Sequence, residues 1–215
     1  MANLNAPMGA IAKFMRNGAR EVPLTPYYVK SDYATALYIG DPVSRIAGDS
    51  NAAPIKLAPG SLVGGADNFP IGTLQKVERA VNGDAVAITG FIVHIGFSAS
   101  HTSVFGPGYK PASTEAVVWV ADDPNTVFEI QCTTAIASTD IGKVTNLTGS
   151  GGSAYHGLSA ATADGAAIAT GNATYQLRLI GLSKTPYRND GTAVNCTVHV
   201  LINNHTDVDV AKAGV

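Results

Sequence analysis

The sequence predicts a mainly β protein, an antiparallel β-sandwich or barrel of the jelly-roll type, with an extended N-terminal arm and long glycine-rich loops. Apolar and polar residues alternate in three segments, 128–133, 175–179 and 196–203, as they do in a strand that buries one face. Gly, Pro, Asn and Asp separate the apolar runs at short intervals. That spacing is typical of all-β domains and not of alternating strands and helices.

Two turn signals predict hairpins. Asn82-Gly83-Asp84 favours a tight turn, and residues 85–97 after it are predicted to form one long or bulged strand. Residues 122–125, Asp-Asp-Pro-Asn, also favour a turn, because proline presets φ and the Asp and Asn side chains bond nearby backbone. We therefore expect the strands at 116–120 and 127–132 to be the two arms of a hairpin.

Residues 1–30 are predicted to be an extended arm, because five prolines and glycines interrupt them and block a long regular element. An arm of this kind cannot bury itself, so it must pack on its own domain or on a neighbour. A short helix inside the arm is the alternative, since four apolar residues have helical spacing. These residues are Met8, Ile11, Ala12 and Met15.

The rest of the chain is predicted to be one β-rich core domain at 31–206, followed by a C-terminal tail at 207–215. Within the core, residues 148–171 are rich in Gly, Ser, Ala and Thr and too poor in large apolar residues to form a core alone. We expect a long loop or projecting excursion there. Another long loop is expected at 47–65, where prolines and glycines accumulate.

The composition argues against nucleic-acid and membrane partners. Lys and Arg number 14 and Asp and Glu number 16, so the net charge of −2 provides no basic field to attract phosphates. Charged residues make up only 14% of the chain, against roughly 25% in a typical soluble domain. The longest apolar stretch, 85–97, is interrupted by polar residues and is too short to cross a bilayer. A neutral, polar surface is expected.

Cys132 and Cys196 are predicted to be buried thiols, because both fall on the apolar face of an alternating segment. Neither has a second Cys or a His at metal-ligand spacing. A single disulfide between them is the alternative.

No segment carries a standard catalytic or cofactor-binding signature. The sequence contains no nucleophile elbow, zinc-protease motif, dinucleotide fingerprint or P-loop. Ser50 follows Gly-Asp, as in one esterase class, but the prolines after it prevent the helix that a nucleophile there would open. A cluster near the chain end could form a weak metal site, although a solvated strand end is more common. Its members are His199, His205, Asp207 and Asp209. We predict no catalytic residue, no cofactor and no metal.

Seven short segments carry a resemblance, and two of them are Tyr109–Thr114 and Phe128–Gln131. Residues 1–9 read Met-Ala-Asn-Leu-Asn-Ala-Pro-Met-Gly, residues 37–43 read Leu-Tyr-Ile-Gly-Asp-Pro-Val, and residues 118–124 read Val-Trp-Val-Ala-Asp-Asp-Pro. Near the end come Tyr-Gln-Leu-Arg-Leu-Ile-Gly at 175–181 and Val-Leu-Ile-Asn-Asn-His at 200–205. In this order the chain resembles a group of virion proteins of tailed bacteriophages, and it is similar to capsid decoration, or cement, subunits.

This resemblance implies a β-rich protomer, often a homotrimer, that binds the major capsid protein and itself. The expected location is the outer surface of a capsid that is assembled in the host cytoplasm. We expect the interface to lie in the arm, because interfaces favour aromatic and large apolar anchors. The residues predicted for it are Met8, Ile11, Phe14, Tyr27 and Tyr28.

Two other functions stay open. One is another virion component, such as a head-tail or tail subunit, although the many prolines and glycines argue against the long strands of a tail tube. The other is a carbohydrate-binding β-sandwich or a small hydrolase. Sugar sites usually show clustered exposed aromatic residues, whereas Trp119, the only Trp, is expected to lie in the core.

Overall fold

A computed structural model describes residues 3–19, 21–30, 32–45, 77–80, 86–97, 108–183 and 189–208. Strands dominate these residues, which confirms the predicted mainly β, antiparallel fold. The helical turns among them are 3-10 turns at Ser138–Asp140 and Gly165–Ala167. The strands in chain order are β1 (Ile11–Met15), β2 (Thr25–Val29), β3 (Leu37–Tyr38), β4 (Pro42–Arg45), β5 (Val77–Arg79), β6 (Gly90–Phe97), β7 (Tyr109–Lys110), β8 (Ala116–Ala121), β9 (Thr126–Gln131), β10 (Val144–Thr145), β11 (Leu147–Thr148), β12 (Gly152–Ser153), β13 (Leu158–Ser159), β14 (Thr162–Ala163), β15 (Leu177–Leu182) and β16 (Thr197–Ile202).

Ten of these strands form two five-stranded sheets. The first sheet has the order β1-β9-β16-β15-β10, and the second has the order β2-β8-β6-β4-β5. Neighbouring strands in both sheets are antiparallel. Within the described residues each sheet ends in an edge strand on both sides, so the architecture is that of a sandwich and not of a closed barrel.

Apolar side chains from both sheets meet in one buried layer, which is the main core. Phe91 of β6 comes from the second sheet, and Phe128 of β9 and Val200 of β16 come from the first. The ring centroids of Phe91 and Phe128 lie 4.8 Å apart in a tilted arrangement. Such aromatic contacts add to the stabilisation that burial already provides.

Apolar clusters pack against both faces of the second sheet. Ile92, Val118 and Val120 lie on the side away from the first sheet, in a separate apolar cluster with Leu37 and Val43. This arrangement explains the composition of β8, which reads Ala-Val-Val-Trp-Val-Ala. A strand with two covered faces is nearly continuously apolar, whereas a strand with one covered face alternates.

The turn at 122–125 joins the two sheets and does not close a hairpin. The predicted turn chemistry is present, since the N–H of Asn125 donates to Oδ1 of Asp123 at 2.7 Å. However, β8 pairs with β2 and β6, whereas β9 pairs with β1 and β16. The predicted hairpin is therefore wrong. Both strands contribute side chains to the layer between the sheets, and they approach it from opposite sides.

The N-terminal residues supply an outer strand to each sheet. Residues 11–15 form β1, which pairs with β9, so the short helix that the apolar spacing allowed is absent there. A helix of about one turn would be unstable alone in water, whereas pairing with β9 gives the backbone hydrogen-bonding partners. β2 pairs with β8 over its whole length, from Thr25 to Val29.

Gly9 allows the N-terminal segment to approach the turn after β3. Its φ is +69°, and a Cβ atom at this position would lie 2.6 Å from the carbonyl oxygen of Gly40. The N–H of Ala10 donates to that same oxygen at 3.1 Å. Both the backbone conformation and the space therefore require glycine at position 9.

Residues 147–163 form a narrow β-ribbon where a loop or excursion is predicted. β11 pairs with β14 and β12 pairs with β13, and Tyr155 at the tip is 91% exposed. Ile39 holds the ribbon through two main-chain hydrogen bonds, one to the Gly157 carbonyl and one from the Ser159 N–H, each 2.9 Å long. Backbone pairing thus compensates for the small number of large apolar residues in this segment.

A buried carboxylate fixes the ribbon against the second sheet. Asp41 has no exposed surface, and it accepts hydrogen bonds from the Ser159 hydroxyl at 2.6 Å and the Tyr38 N–H at 2.8 Å. Nη2 of Arg79 lies 3.2 Å from its Oδ1. Burial raises the pKa of Asp41 to about 6, and the Arg79 charge with the two hydrogen bonds opposes a larger rise.

We expect Phe128→Ala to lower the free energy of unfolding by about 3–5 kcal/mol, because it opens a cavity in the layer between the sheets. Denaturant titration followed by Trp119 fluorescence measures this loss. Phe14→Ala is the matched control, since Phe14 is 39% exposed and its truncation should cost less than about 1 kcal/mol. Equal losses in the two variants would contradict the position of Phe128 in the core.

Candidate interaction surface

The side of the first sheet that faces away from the core carries a compact set of chemically varied side chains. The pleat that buries Phe128 and Val200 turns Glu129 and His199 to this side, and the strand register places those two residues directly beside each other. We call this surface the outer face. Its residues are Lys13, Phe14, Glu129, Arg178, Ser183, His199 and Leu201.

Glu129 lies at the centre of a polar cluster on the outer face. Its Oε2 accepts a hydrogen bond from the Ser183 hydroxyl at 2.7 Å, and Nζ of Lys13 lies 3.1 Å from its Oε1. Nε2 of His199 lies 3.5 Å from Oε2. Burial alone would raise the pKa of Glu129, but the hydrogen bonds from Ser183 and Lys13 and the Lys13 charge lower it below its ordinary value. Glu129 is therefore ionised at neutral pH.

The cluster contains a hydroxyl, an imidazole and a carboxylate, but their order differs from that of a hydrolytic triad. In a triad the imidazole lies between the hydroxyl and the carboxylate and removes the hydroxyl proton. Here Ser183 and His199 both approach the same carboxylate oxygen of Glu129. A carboxylate with a lowered pKa is a weak base, so this geometry favours fixing side chains in place over activating Ser183.

Phe14 gives the outer face an exposed aromatic ring. The ring meets the imidazole of His199 edge-on, with centroids 5.8 Å apart and planes at 87°. The register of β1 shifts between Ala12 and Phe14, which is a bulge at Lys13. Bulges redirect side chains, and this one accommodates Lys13 at Glu129 while Phe14 stays 39% exposed.

Residues before β1 are fixed by hydrogen bonds while their apolar side chains stay exposed. The side chain of Asn3 donates to the Asp190 carbonyl at 2.8 Å and accepts from the Asp190 N–H at 2.9 Å. Nε2 of Gln131 donates to the Leu4 carbonyl at 2.8 Å. The side chains of Leu4 and Val194 are nevertheless 80% and 56% exposed. A fixed backbone with exposed apolar groups is suited to a protein contact.

Of the five predicted interface residues, Met8 and Phe14 are exposed, and Ile11 and Tyr28 are half-buried. Met8 is 43% exposed, Phe14 is on the outer face, and Ile11 is half-buried opposite Glu129 in the register. Tyr28 is half-buried, and its hydroxyl donates to Oε2 of Glu115 at 3.1 Å.

Tyr27 is not accessible, so its assignment to the interface is wrong for the folded chain. The alternation of β2 turns it inward with Val29, and it is only 2% exposed. Its hydroxyl donates to Oδ2 of Asp122 at 2.7 Å and accepts from Nη2 of Arg45 at 3.0 Å. Burial raises the pKa of Tyr27 to about 12, with the bond to Asp122 adding to the rise and Arg45 opposing it.

His205 joins the end of the described chain to the turn at 122–125. Its Nδ1 accepts from the N–H of Asp207 at 3.0 Å, so Nε2 is the protonated nitrogen and donates to the Asp122 carbonyl at 2.9 Å. Arg45 forms an ion pair with Asp207 beside it. Burial lowers the pKa of His205 despite the opposing bond to Asp122 and the nearby carboxylates.

The predicted His and Asp cluster at the chain end is not assembled as one site. His199 lies at Glu129 on the outer face, whereas His205 and Asp207 hydrogen-bond to each other. Asp209 lies outside the described residues, as do Ser50 and the 82–84 turn. Among the residues that are described, no group of three or more side chains could hold a metal ion.

Cys132 and Cys196 are both buried and unpaired in the structure. Cys132 directly follows β9 and Cys196 directly precedes β16, and the N–H of Cys132 donates to the Cys196 carbonyl at 2.7 Å.

Comparison with family models, with curated proteins and with solved structures finds no match to this chain. None of the helices in the described part of the chain has the length and apolar character to cross a membrane.

Lys13, Glu129, Ser183 and Arg178 were not predicted as functional residues. The alternation already placed Glu129 and His199 on polar faces of their strands. Their contact depends on the pairing of β9 with β16, two strands more than sixty positions apart, and local sequence does not encode that pairing.

We expect a fall in pH to reduce the stability that buried, neutral His205 provides through its hydrogen bond to the Asp122 carbonyl. Its pKa is lowered in the folded protein, so the unfolded chain binds the proton more readily, and stability is lost as pH falls below the unfolded value of about 6.5. His205→Gln keeps a donor for Asp122 and removes the titration. The free energy of unfolding should fall more for wild type than for His205→Gln between pH 7.5 and pH 5.5.

Comparing wild type with His205→Gln cancels the effect of other groups that titrate between pH 5.5 and pH 7.5. Asp41 has a raised pKa of about 6, so it adds stability as pH falls, but it does so equally in both proteins. Chemical denaturation at both pH values measures the difference. Parallel pH profiles would contradict a neutral, buried His205.

Proposed function

We propose that the protein is a non-enzymatic structural subunit that decorates a phage capsid by binding the major capsid protein and copies of itself. The observation that carries this proposal is the construction of the N-terminal residues. They form an outer strand of each sheet, and they expose apolar side chains from a backbone that is held in place. The resemblance to capsid decoration proteins along most of the sequence supports the same role.

The exposed apolar side chains are concentrated near the N-terminus. Four of the eight large hydrophobic residues that are exposed in the described part of the chain lie within its first 24 positions. Single exposed apolar residues are common on any protein surface, but a concentration of them marks a contact region. The four residues are Leu4, Met8, Phe14 and Leu24.

The two N-terminal strands are protected against open-ended strand addition. β1 contains a bulge at Lys13, and β2 contains Pro26, which has no N–H to donate. Charges, prolines and bulges at edge strands prevent uncontrolled sheet extension between molecules. Contacts made through side chains of the outer face are therefore favoured over a continuous sheet between subunits.

Sparse charge is compatible with a lattice of many copies. The net charge of −2 limits repulsion between neighbouring subunits. Modest affinity at each contact is sufficient when a subunit engages several partners at once, because the second contact is effectively intramolecular. Trimerisation of this chain would provide such multivalency.

The proposal is tested by co-sedimentation of the purified protein with undecorated capsids of the phage that encodes it, together with its mass in solution. Stoichiometric binding by a discrete oligomer is expected. A monomer that stays in the supernatant would overturn the decoration role.

Phe14→Ser should weaken capsid binding by about tenfold, because truncating an aromatic anchor typically costs 1–2 kcal/mol. Ile141→Ser is the matched control, since Ile141 is also exposed, at 36%, but follows a 3-10 turn away from β1. Both variants should keep near-wild-type melting temperatures. Equal weakening in the two variants would argue against the outer face as the binding surface.

The position of Trp119 is relevant to the carbohydrate-binding alternative. It is half-buried and does not belong to the core as expected, and the centroid of its ring lies 5.1 Å from that of His94 on the neighbouring strand. Sugars that stack on this ring would shift its fluorescence. A saturable shift with a neutral oligosaccharide would favour this alternative over decoration, and an unchanged spectrum is expected if the protein binds only proteins.

A further inference from the structure

Two cysteine side chains meet where the pairing of β9 with β16 ends. The register of these strands sets Gln131 opposite Thr197, so Cys132 and Cys196 are the next opposite pair. The N–H of Cys132 donates to the Cys196 carbonyl at 2.7 Å, so the antiparallel pairing continues to this position. The pair lies on the core side of the sheet, away from the outer face, and its chemistry does not depend on the proposed capsid role.

The two thiols are in contact with each other. Both cysteines have no exposed surface, and both belong to the apolar layer between the sheets. A hydrogen bond between the two thiols lowers the pKa of Cys132, which burial opposes, and raises the pKa of Cys196, to which burial adds. Such a bond requires the two sulfur atoms to touch. Sγ of Cys196 also lies 3.3 Å from the carbonyl oxygen of Thr134.

The backbone spacing of an opposite pair suits a disulfide. Opposite Cα atoms in an antiparallel ladder lie roughly 4.5–5.5 Å apart, and a disulfide requires about 4.4–6.8 Å. The pairing of the strands therefore already supplies the separation that the cross-link needs. The sulfur atoms have only to close from a non-bonded contact to a bond.

Burial alone explains why two cysteines are tolerated in the core, because an unreacted thiol behaves as a small apolar group. It does not explain why the two residues lie directly opposite each other with their sulfur atoms in contact. That arrangement is what a disulfide requires, and it favours a cross-link over two independent core residues.

A bond at this position would close a large covalent loop. More than sixty positions separate Cys132 from Cys196, and the segment between them contains the β-ribbon and β15. Closing such a loop removes conformational freedom from the unfolded chain and so stabilises the folded one. The N-terminal segment is anchored beside the pair, because Nε2 of Gln131 donates to the carbonyls of Leu4 and Asn195. The cross-link would tie together the two strands that hold this anchor.

We propose that Cys132 and Cys196 form an intramolecular disulfide when the chain folds in the presence of a small disulfide such as glutathione disulfide. One protein thiolate attacks a sulfur of glutathione disulfide, breaks its S–S bond, releases one glutathione and leaves a mixed disulfide. The second protein thiolate attacks the protein sulfur of that mixed disulfide and releases the second glutathione. Two protein thiols are oxidised, one glutathione disulfide is reduced, and the two thiol protons end on the two glutathione molecules.

Burial determines when this exchange takes place. Glutathione does not reach a sulfur atom that has no exposed surface, so the exchange occurs in the open chain, before β9 and β16 pair. After folding, the same burial protects a disulfide from reductants and protects the thiols from oxidants. The closed core thus preserves the state, dithiol or disulfide, in which the chain folded.

The test refolds the unfolded, reduced chain in two buffers, one with oxidised and reduced glutathione and one with reduced glutathione alone. Intact mass and peptide mapping should show the loss of two hydrogen atoms and a bond between Cys132 and Cys196 in the first buffer, and free thiols in the second. The linked protein should melt at least about 5 °C above the dithiol, because a disulfide that closes a long loop stabilises by at least this much.

Cys132→Ala and Cys196→Ala are the matched controls, because alanine keeps a small apolar group in the core and each variant retains one thiol. Refolding these variants with oxidised glutathione should give no intramolecular link and no rise in melting temperature. A rise in either variant would show that the gain in the wild type does not come from this bond.

The folded protein tests the protection by the core. Dithiothreitol should reduce the disulfide at least about tenfold more slowly in the folded protein than in guanidinium chloride, because reduction of a buried bond requires prior opening of the structure. Reduced, folded protein should resist glutathione disulfide in the same way.

Three results would overturn the proposal. Free thiols or links between molecules after refolding with oxidised glutathione would show that the pair does not cross-link within one chain. A linked protein that melts no higher than the dithiol would show that the fold does not accommodate the bond. Equal reaction rates in folded and unfolded protein would contradict the protection by the core.

Discussion

The apolar layer between the two sheets is the constraint on which the rest of the molecule depends. Phe91 and Phe128 meet in it, and the strands that carry them determine which side chains remain for other contacts. Because Phe128 must face the layer, Glu129 must face outward, and the same pleat sets His199 and Arg178 on that side. The outer face is a consequence of core packing, since its side chains belong to residues that point away from the layer.

Alternation in the sequence was sufficient to predict β9, β15 and β16 and most of their inward side chains. Gln176, which the alternation placed on the polar side just before β15, is buried instead. The pairing of strands was not predictable in the same way. The turn at 122–125 has the local chemistry of a hairpin, yet β8 and β9 belong to different sheets. Local sequence encodes the bend of the backbone, whereas the choice of partner depends on which apolar faces are complementary over the whole domain. Tyr27 was misassigned for the same reason, because its burial depends on the cover that Leu37 and Val43 provide.

Some side chains stabilise the fold through internal hydrogen bonds, whereas others are exposed and can contact a partner. Asp41, Tyr27 and His205 are buried and hydrogen-bonded within the chain. These contacts within the fold are sufficient to account for the shifted pKa values of the three groups. Perturbed ionisable groups often mark functional sites, but structural networks produce the same signature. Arg16, Phe14 and Leu4 differ because their backbones are fixed while their side chains reach solvent.

The placement of the N-terminal strands also affects the order in which the chain can fold during synthesis. Thr25 contacts Asp122, which lies 97 positions later, and β1 pairs with β9 at a similar distance. At the usual translation rate, roughly 5–20 s separate the synthesis of these strands from that of their partners. During this interval the first thirty residues have no native sheet to join. A newly made chain thus exposes Tyr27 and Val29 before its own β8 exists, and in a cell that makes many copies it is at that stage open to pairing with the β8 of another molecule.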